Sequence, residues 1–204
     1  MPIIKKNIAI LDYGFGNIFK IKQAVEYNGF ICTLITDLKD IDEYDALILP
    51  GVGSFPEGMK RLNKIKAKEK ILEFVKKKKL LGICLGMQLL LEKGEEIKLT
   101  KGLGLIPGKV VRFPKNIRAH VGWSKVSIDK KIKHPIQNKN NNFFYFTHQF
   151  IVKTKKKFEY GTTNFSSIKF TTIIRKNNVY GVQFHPENSD KNGAKLIGQI
   201  LNDH

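Results

Sequence analysis

The sequence predicts an α/β protein: a largely parallel central sheet flanked by helices, with an antiparallel extension. Three observations carry that prediction. Short apolar runs in the first half alternate with stretches of helical spacing, the pattern of a parallel sheet covered on both faces. Three of those runs end at once in glycine-rich or glycine-flanked turns. In the second half, strand-like runs follow one another with few helices between them, which points to antiparallel pairing.

Residues 7–11 form a short apolar run feeding Asp12-Tyr13-Gly14-Phe15-Gly16-Asn17, a buried strand entering a tight turn. Residues 18–28 place Ile18, Ile21, Ala24 and Val25 at helical spacing, and Gly29 suits the C-terminal stop. Residues 31–36 read as a second strand. Residues 45–49 read as a third, broken by Pro50-Gly51-Val52-Gly53. Residues 59–79 read mostly as helix with an irregular start. Residues 80–84 are a fourth strand, with a helix following directly through Leu91. Residues 109–113, 123–128, 142–146, 150–154, 167–174 and 179–184 read as strands that extend the same sheet. Residues 130–142, rich in Lys and Asn, read as an exposed loop, and 190–201 close the chain as a helix. With no internal repeat and no long linker, residues 1–204 are expected to form one domain.

Composition narrows the class. A chain of 204 residues, 42% hydrophobic and 26% charged, is long enough for one sizeable core. No apolar run reaches the roughly 18 residues of a membrane span. Cys32 and Cys84 make no disulfide framework, and Cys32, inside an apolar strand, reads as core. The first ten residues lack the apolar stretch and cleavage site of a signal peptide, so the expected location is cytoplasmic. Lys plus Arg number 36 against 18 Asp plus Glu, a net charge of +18. Only Arg61, Arg112, Arg118 and Arg175 are arginines, the residue suited to bidentate reading of phosphates and guanine edges. The lysine runs at 76–79 and 155–157 therefore read as a solvated surface rather than a specific nucleic-acid groove.

Chemistry concentrates in three segments. Gly82-Ile83-Cys84-Leu85-Gly86 has a nucleophile between small residues at a strand-to-helix junction, where a sharp turn lifts the thiol clear of the backbone. The helix start behind it favours the thiolate, and the Leu85 amide is placed to receive an oxyanion. Alone, the segment is equally a buried cysteine between strand-end glycines. Gly181-Val182-Gln183-Phe184-His185-Pro186-Glu187 supplies a base and, two residues on, a carboxylate to orient it. Alone, His-Pro-Glu would read as a surface turn. Pro50-Gly51-Val52-Gly53 can turn backbone amides toward a ligand, though by itself it is a plain turn.

Together and in this order the segments resemble the class I, triad-type glutamine amidotransferases. More narrowly, the chain is similar to the glutaminase subunits of imidazole glycerol phosphate synthases. The narrower match rests on Leu11 to Asn17, Leu49 to Gly53, Gly82 to Gln88 and His120-Val121-Gly122-Trp123. It continues through Phe144-Tyr145-Phe146-x-His148 and Gly181 to Glu187. The resemblance implies that Cys84 attacks the glutamine side-chain amide, that His185 acts as base and then acid, and that Glu187 orients His185. It implies oxyanion donors at the amides of Val52 and Leu85. It implies glutamine contacts at Gly51, Gln88, Glu96 and the segment after His148, Gln149 and Phe150. No metal or cofactor is implied. The implied partner is a (βα)8-barrel cyclase in a heterodimer, receiving ammonia and forming imidazole glycerol phosphate and an aminoimidazole nucleotide, with Asn17, Trp123 and Tyr145 at the interface. Tyr145 reads equally as core packing.

The chain departs from the family pattern at two places. Gln149 and Phe150 stand where a small hydroxyl residue and Tyr are usual, and Asn188-Ser189 follows His-Pro-Glu where Arg or Lys and Ser are usual. Two alternatives remain open at this level: a paralogous glutaminase feeding amidination of surface sugars, and a catalytically silent binding module on the same fold.

Overall fold

The computed structural model describes residues 5–128 and 142–203. The loop expected over 130–142 falls outside the described residues except for Asn142. In chain order the elements are β1 (Asn7–Leu11), α1 (Ile18–Glu26), β2 (Ile31–Ile35), β3 (Ala46–Leu49), α2 (Phe55–Lys64), α3 (Ala67–Phe74), β4 (Lys79–Ile83) and α4 (Leu85–Leu89). There follow β5 (Leu91–Gly94), β6 (Thr100–Lys101), β7 (Ile106–Arg112), β8 (His120–Lys125), β9 (Ser127–Ile128), β10 (Phe143–His148) and β11 (Phe150–Thr154). The chain closes with β12 (Glu159–Phe165), β13 (Ile168–Lys176), β14 (Val179–Val182) and α5 (Asp190–Asn202).

The large sheet runs β2-β1-β3-β4-β14-β13-β11-β7-β5-β6, with β12 and β9 attached beside β13. The block from β2 to β14 is parallel, and β14 to β13, β13 to β11 and β11 to β7 are antiparallel. Alternation along β1 builds a core on each face. Ile8 and Ile10 pack with Ile21 and Val25 of α1 and with Leu196, Ile197 and Ile200 of α5. Ala9 and Leu11 pack with Phe55, Met59 and Leu62 of α2 and with Ile71 and Phe74 of α3. Burying both faces explains why these strands read as continuous apolar runs.

The structure corrects the sequence reading in three places. The helix expected over 59–79 is two helices, because Lys66 takes the left-handed conformation, with φ 51° and ψ 40°. It also starts earlier, at Phe55, with Pro56 in the first turn, where a missing amide hydrogen costs nothing. β8 and β10 do not extend the large sheet but pair with each other as a separate two-stranded sheet. Their inward residues, Phe144, Phe146 and His120, face the β1 and α5 core or its aromatic rim, so the ribbon lies over the large sheet rather than at its edge. β5, β6 and β12 were not foreseen. β12 carries buried threonines and a register shift at Gly161, which hide its alternation.

His120 and His148 are paired residues on this ribbon, 1% and 8% exposed. Burial lowers His120 to about 4 and His148 to about 3, so both rings are neutral at pH 7. In the unfolded chain they titrate at about 6.5. The sign follows: their full contribution to stability is present above about pH 6.5 and is lost as pH falls toward the folded values. The expected slope is of order 1 kcal/mol per pH unit per histidine. Urea unfolding from pH 4.5 to 8 measures it, and a flat acid side would show that the pair is not buried neutral. His185 is shifted the other way, so it adds no loss on the acid side.

Candidate active site

The C-terminal ends of β1, β3, β4 and β14 bring four turns together: residues 12–17, 50–54, Cys84 itself, and 183–189. Ligands bind at this end of open parallel sheets. Cys84 sits between β4 and α4 with φ 53° and ψ −108°, a conformation that non-glycine residues rarely adopt. The elbow closes only because its neighbours lack side chains. A Cβ on Gly82 would lie 2.7 Å from backbone atoms of Gly86 and Met87, and one on Gly86 would overlap Leu49 O. Gly51 lies equally close: a Cβ there would be 2.8 Å from Leu85 Cβ and 2.9 Å from Gly86 N. The turn that holds Val52 is thereby pressed against the start of α4, and the Tyr13 hydroxyl donates to Pro50 O at 2.7 Å to pin it.

His185 follows β14 and is 3% exposed. Its Nδ1 pairs with Glu187 Oε1 at 2.8 Å. Its Nε2 is buried and makes no hydrogen bond of good geometry, as is also true of Glu187 Oε2. Burial alone would lower the imidazole, but its interactions with Cys84 and with Glu187 outweigh it and raise His185 to about 10. Because Nε2 closes no good hydrogen bond, the coupling to Cys84 is that of two facing groups rather than a formed bond. A proton held on that ring beside a thiol is the arrangement an acid–base pair needs.

The remaining expected residues divide. Gln88 reaches the site from α4, its Nε2 donating to Phe150 O at 3.3 Å and to Gln183 Oε1 at 3.1 Å. Glu96 Oε2 accepts the Phe55 amide at 2.7 Å, so this carboxylate holds the first turn of α2. Gln149 is exposed, with its carbonyl accepting the Phe113 amide. Asn17 caps α1, accepting from the Lys20 amide at 3.3 Å. Trp123 is 49% exposed and meets the half-buried Tyr145 edge-on, with centroids 6.2 Å apart. Cys32 is half-buried at the edge of the first core. Among the described residues, no three His, Cys, Asp or Glu side chains gather as a metal site.

Two residues of the site escaped the sequence reading. Gln183, fully buried, donates from Nε2 toward Cys84 Sγ at 3.7 Å. Ser189, also fully buried, donates to His185 O at 2.6 Å and accepts the Tyr145 amide at 2.9 Å. A polar residue inside the apolar run 179–184 was the available signal for Gln183. Ser189→Ala leaves both backbone groups without their side-chain partner, and a loss of about 1–3 kcal/mol is expected. Urea unfolding measures it, and a loss within ~0.5 kcal/mol would show that water replaces the hydroxyl.

The sequence matches the family described as glutamine amidotransferase class-I over residues 9–201. The "Imidazole glycerol phosphate synthase subunit HisH" of Caldanaerobacter subterraneus subsp. tengcongensis is 42% identical over 193 residues, covering 93% of this chain and 95% of that protein. The "Imidazole glycerol phosphate synthase subunit HisH 1" of Methanococcus maripaludis is 42% identical over 200 residues, covering 95% and 98%. Among solved structures, "Structure of PurLQS from Thermotoga maritima" superposes with a TM-score of 0.75 at 20% identity, covering 98% of this chain and 99% of that one, a likeness of fold. Fold and elbow together define a class I glutamine amidotransferase. Within that class, the chain belongs to the family of imidazole glycerol phosphate synthase subunit HisH.

Proposed function

We propose that residues 1–204 form one glutaminase domain in which Cys84, His185 and Glu187 hydrolyse glutamine to glutamate and ammonia. The observation that carries this reading is the strained Cys84 at the elbow, facing a buried His185 that Glu187 holds at 2.8 Å. With the thiol proton held on His185, Cys84 Sγ attacks the side-chain amide carbon of glutamine. The oxyanion is received by the amides of Leu85 and Val52. The imidazolium then gives its proton to the departing nitrogen, leaving a glutamyl thioester. Water, deprotonated by the same imidazole, releases glutamate. Glu187 keeps the ring oriented and stabilises its charged form. Gly51, Gln88 and the Gln149–Phe150 segment line the glutamine head group. Glu96 acts there through the first turn of α2.

The chain acts in histidine biosynthesis as the subunit that supplies ammonia for imidazole glycerol phosphate. Free ammonia is mostly protonated near pH 7 and is then no nucleophile, which favours transfer within a complex. The partner is a (βα)8-barrel cyclase, docked as a heterodimer on the face carrying Asn17, Trp123 and Tyr145. The complex works in the cytoplasm. No described helix is long and apolar enough to cross a membrane. The isolated chain is expected to be nearly silent, with the Val52 amide turned away until the partner docks. Glutamate release should rise on the order of 10- to 100-fold with the cognate cyclase and its nucleotide ligand. An unchanged rate, with Cys84 still labelled by a glutamine-mimicking electrophile, would shift the reading to a different acceptor enzyme.

A further inference from the structure

His120 and His148 do more than fill space. The His120 ring is stacked between Phe146, at 4.4 Å and 19°, and Phe165, at 4.0 Å and 23°, so its plane is fixed. Its two edges face partners: Nδ1 lies 3.2 Å from His148 Nε2, and Nε2 lies 2.8 Å from Ser124 Oγ. His148 Nδ1 lies 2.8 Å from Phe150 O. A carbonyl only accepts, so His148 Nδ1 carries the proton. With His148 neutral, its Nε2 is a lone pair, so His120 Nδ1 must donate to it. With His120 neutral too, its Nε2 accepts from the Ser124 hydroxyl. One arrangement satisfies every atom, and it runs in one direction, from Ser124 through both rings to Phe150 O.

That carbonyl also accepts Gln88 Nε2, at 3.3 Å. The same nitrogen donates its second hydrogen to Gln183 Oε1 at 3.1 Å, and Gln183 Nε2 points to Cys84 Sγ at 3.7 Å. The orientation of both amides is thus dictated from Phe150 O onward: the Gln88 atom facing a carbonyl must be nitrogen, and the Gln183 atom facing it must be oxygen. A continuous hydrogen-bonded series joins Ser124, beside the exposed Trp123, to the thiol.

We propose that His120 and His148 are positioning residues for the glutamine site, setting Phe150 O and through it Gln88 and Gln183. The inference rests on the glutaminase reading above. A pair kept only for packing would be served by phenylalanine, which carries no polar atoms to bury.

The test uses the full chain, its His120→Phe and His120→Asn variants, and Ser124→Ala. One readout is ¹⁵N NMR of the imidazoles at pH 7, where both rings of the starting protein should be neutral and protonated on Nδ1. The other is inactivation by a diazoketone analogue of glutamine, which separates binding (KI) from alkylation (kinact). His120→Phe keeps the stacked ring and loses the donor, so KI should rise about tenfold while kinact stays within about twofold. His120→Asn restores a donor near the Nδ1 position, so KI should return to within about threefold of the starting value. Ser124→Ala should raise KI about two- to threefold. A packing role reverses the order, since Phe fills the slot and Asn leaves a gap. An unchanged KI in His120→Phe, Asn worse than Phe, or an Nε2–H tautomer on either ring would overturn the proposal. If the starting protein is not labelled at Cys84 at all, the glutaminase reading itself fails and the inference falls with it, whatever the tautomers.

Discussion

Cys84→Ala is expected to lower glutamate release on the order of 10⁴-fold or more, in the presence of the partner as in its absence. No neighbouring group replaces the thiol: Gln183 is an amide and His185 an imidazole held by Glu187. The structure adds a second expectation. Cys84 stays at φ 53°, ψ −108° because the surrounding backbone imposes it. Alanine keeps the Cβ and therefore the strain, whereas glycine adopts such angles freely. Cys84→Gly should therefore be more stable than Cys84→Ala by about 1 kcal/mol, and equally inactive. Paired urea titrations and a glutamate assay check both parts. Equal stability of the two variants would mean that the elbow stores no strain. Activity surviving in Cys84→Ala would remove the cysteine from the mechanism.

Gly86→Ala is expected to have the largest effect on the fold. Its Cβ would overlap Leu49 O and lie 3.2 Å from Pro50 O. Leu49 ends β3, which is paired on both sides, to β1 and β4, and cannot give way as a flexible side chain would. The cost should exceed about 3 kcal/mol, enough to remove much of the stability of a domain this size. The comparison variant is Gly29→Ala. Gly29 has φ 80° but nothing within 4 Å of an added Cβ, so only the backbone term applies, about 1 kcal/mol. Thermal unfolding of the two variants distinguishes contact from conformation. Similar melting temperatures would mean that β3 and α4 are not as closely pressed as the glycines indicate.

These variants also separate what could be read in the chain from what could not. The parallel strands were legible because a strand buried on both faces is a continuous apolar run, and β1, β3 and β4 are such runs. The elbow was legible because its requirements are local: two glycines two residues either side of one cysteine. The Glu187–His185 contact was legible for the same reason, with one residue between them. The break at Lys66 was not, since nothing in Asn63-Lys64-Ile65-Lys66 announces a left-handed lysine.

Sequence alone therefore determined the fold class, the family resemblance, and the elbow and histidine segments, all of which rest on neighbours in the chain. Tertiary structure alone decided that β8 and β10 form a ribbon over the sheet, and that Glu96 holds the first turn of α2. It alone brought Gln183 to Cys84, Ser189 to Tyr145, and His120 to His148, across separations of 99, 44 and 28 residues. A polar side chain carries no mark of the partner it will meet. That partner is set by strand order and register, which arise from the summed burial of apolar faces rather than from any one segment.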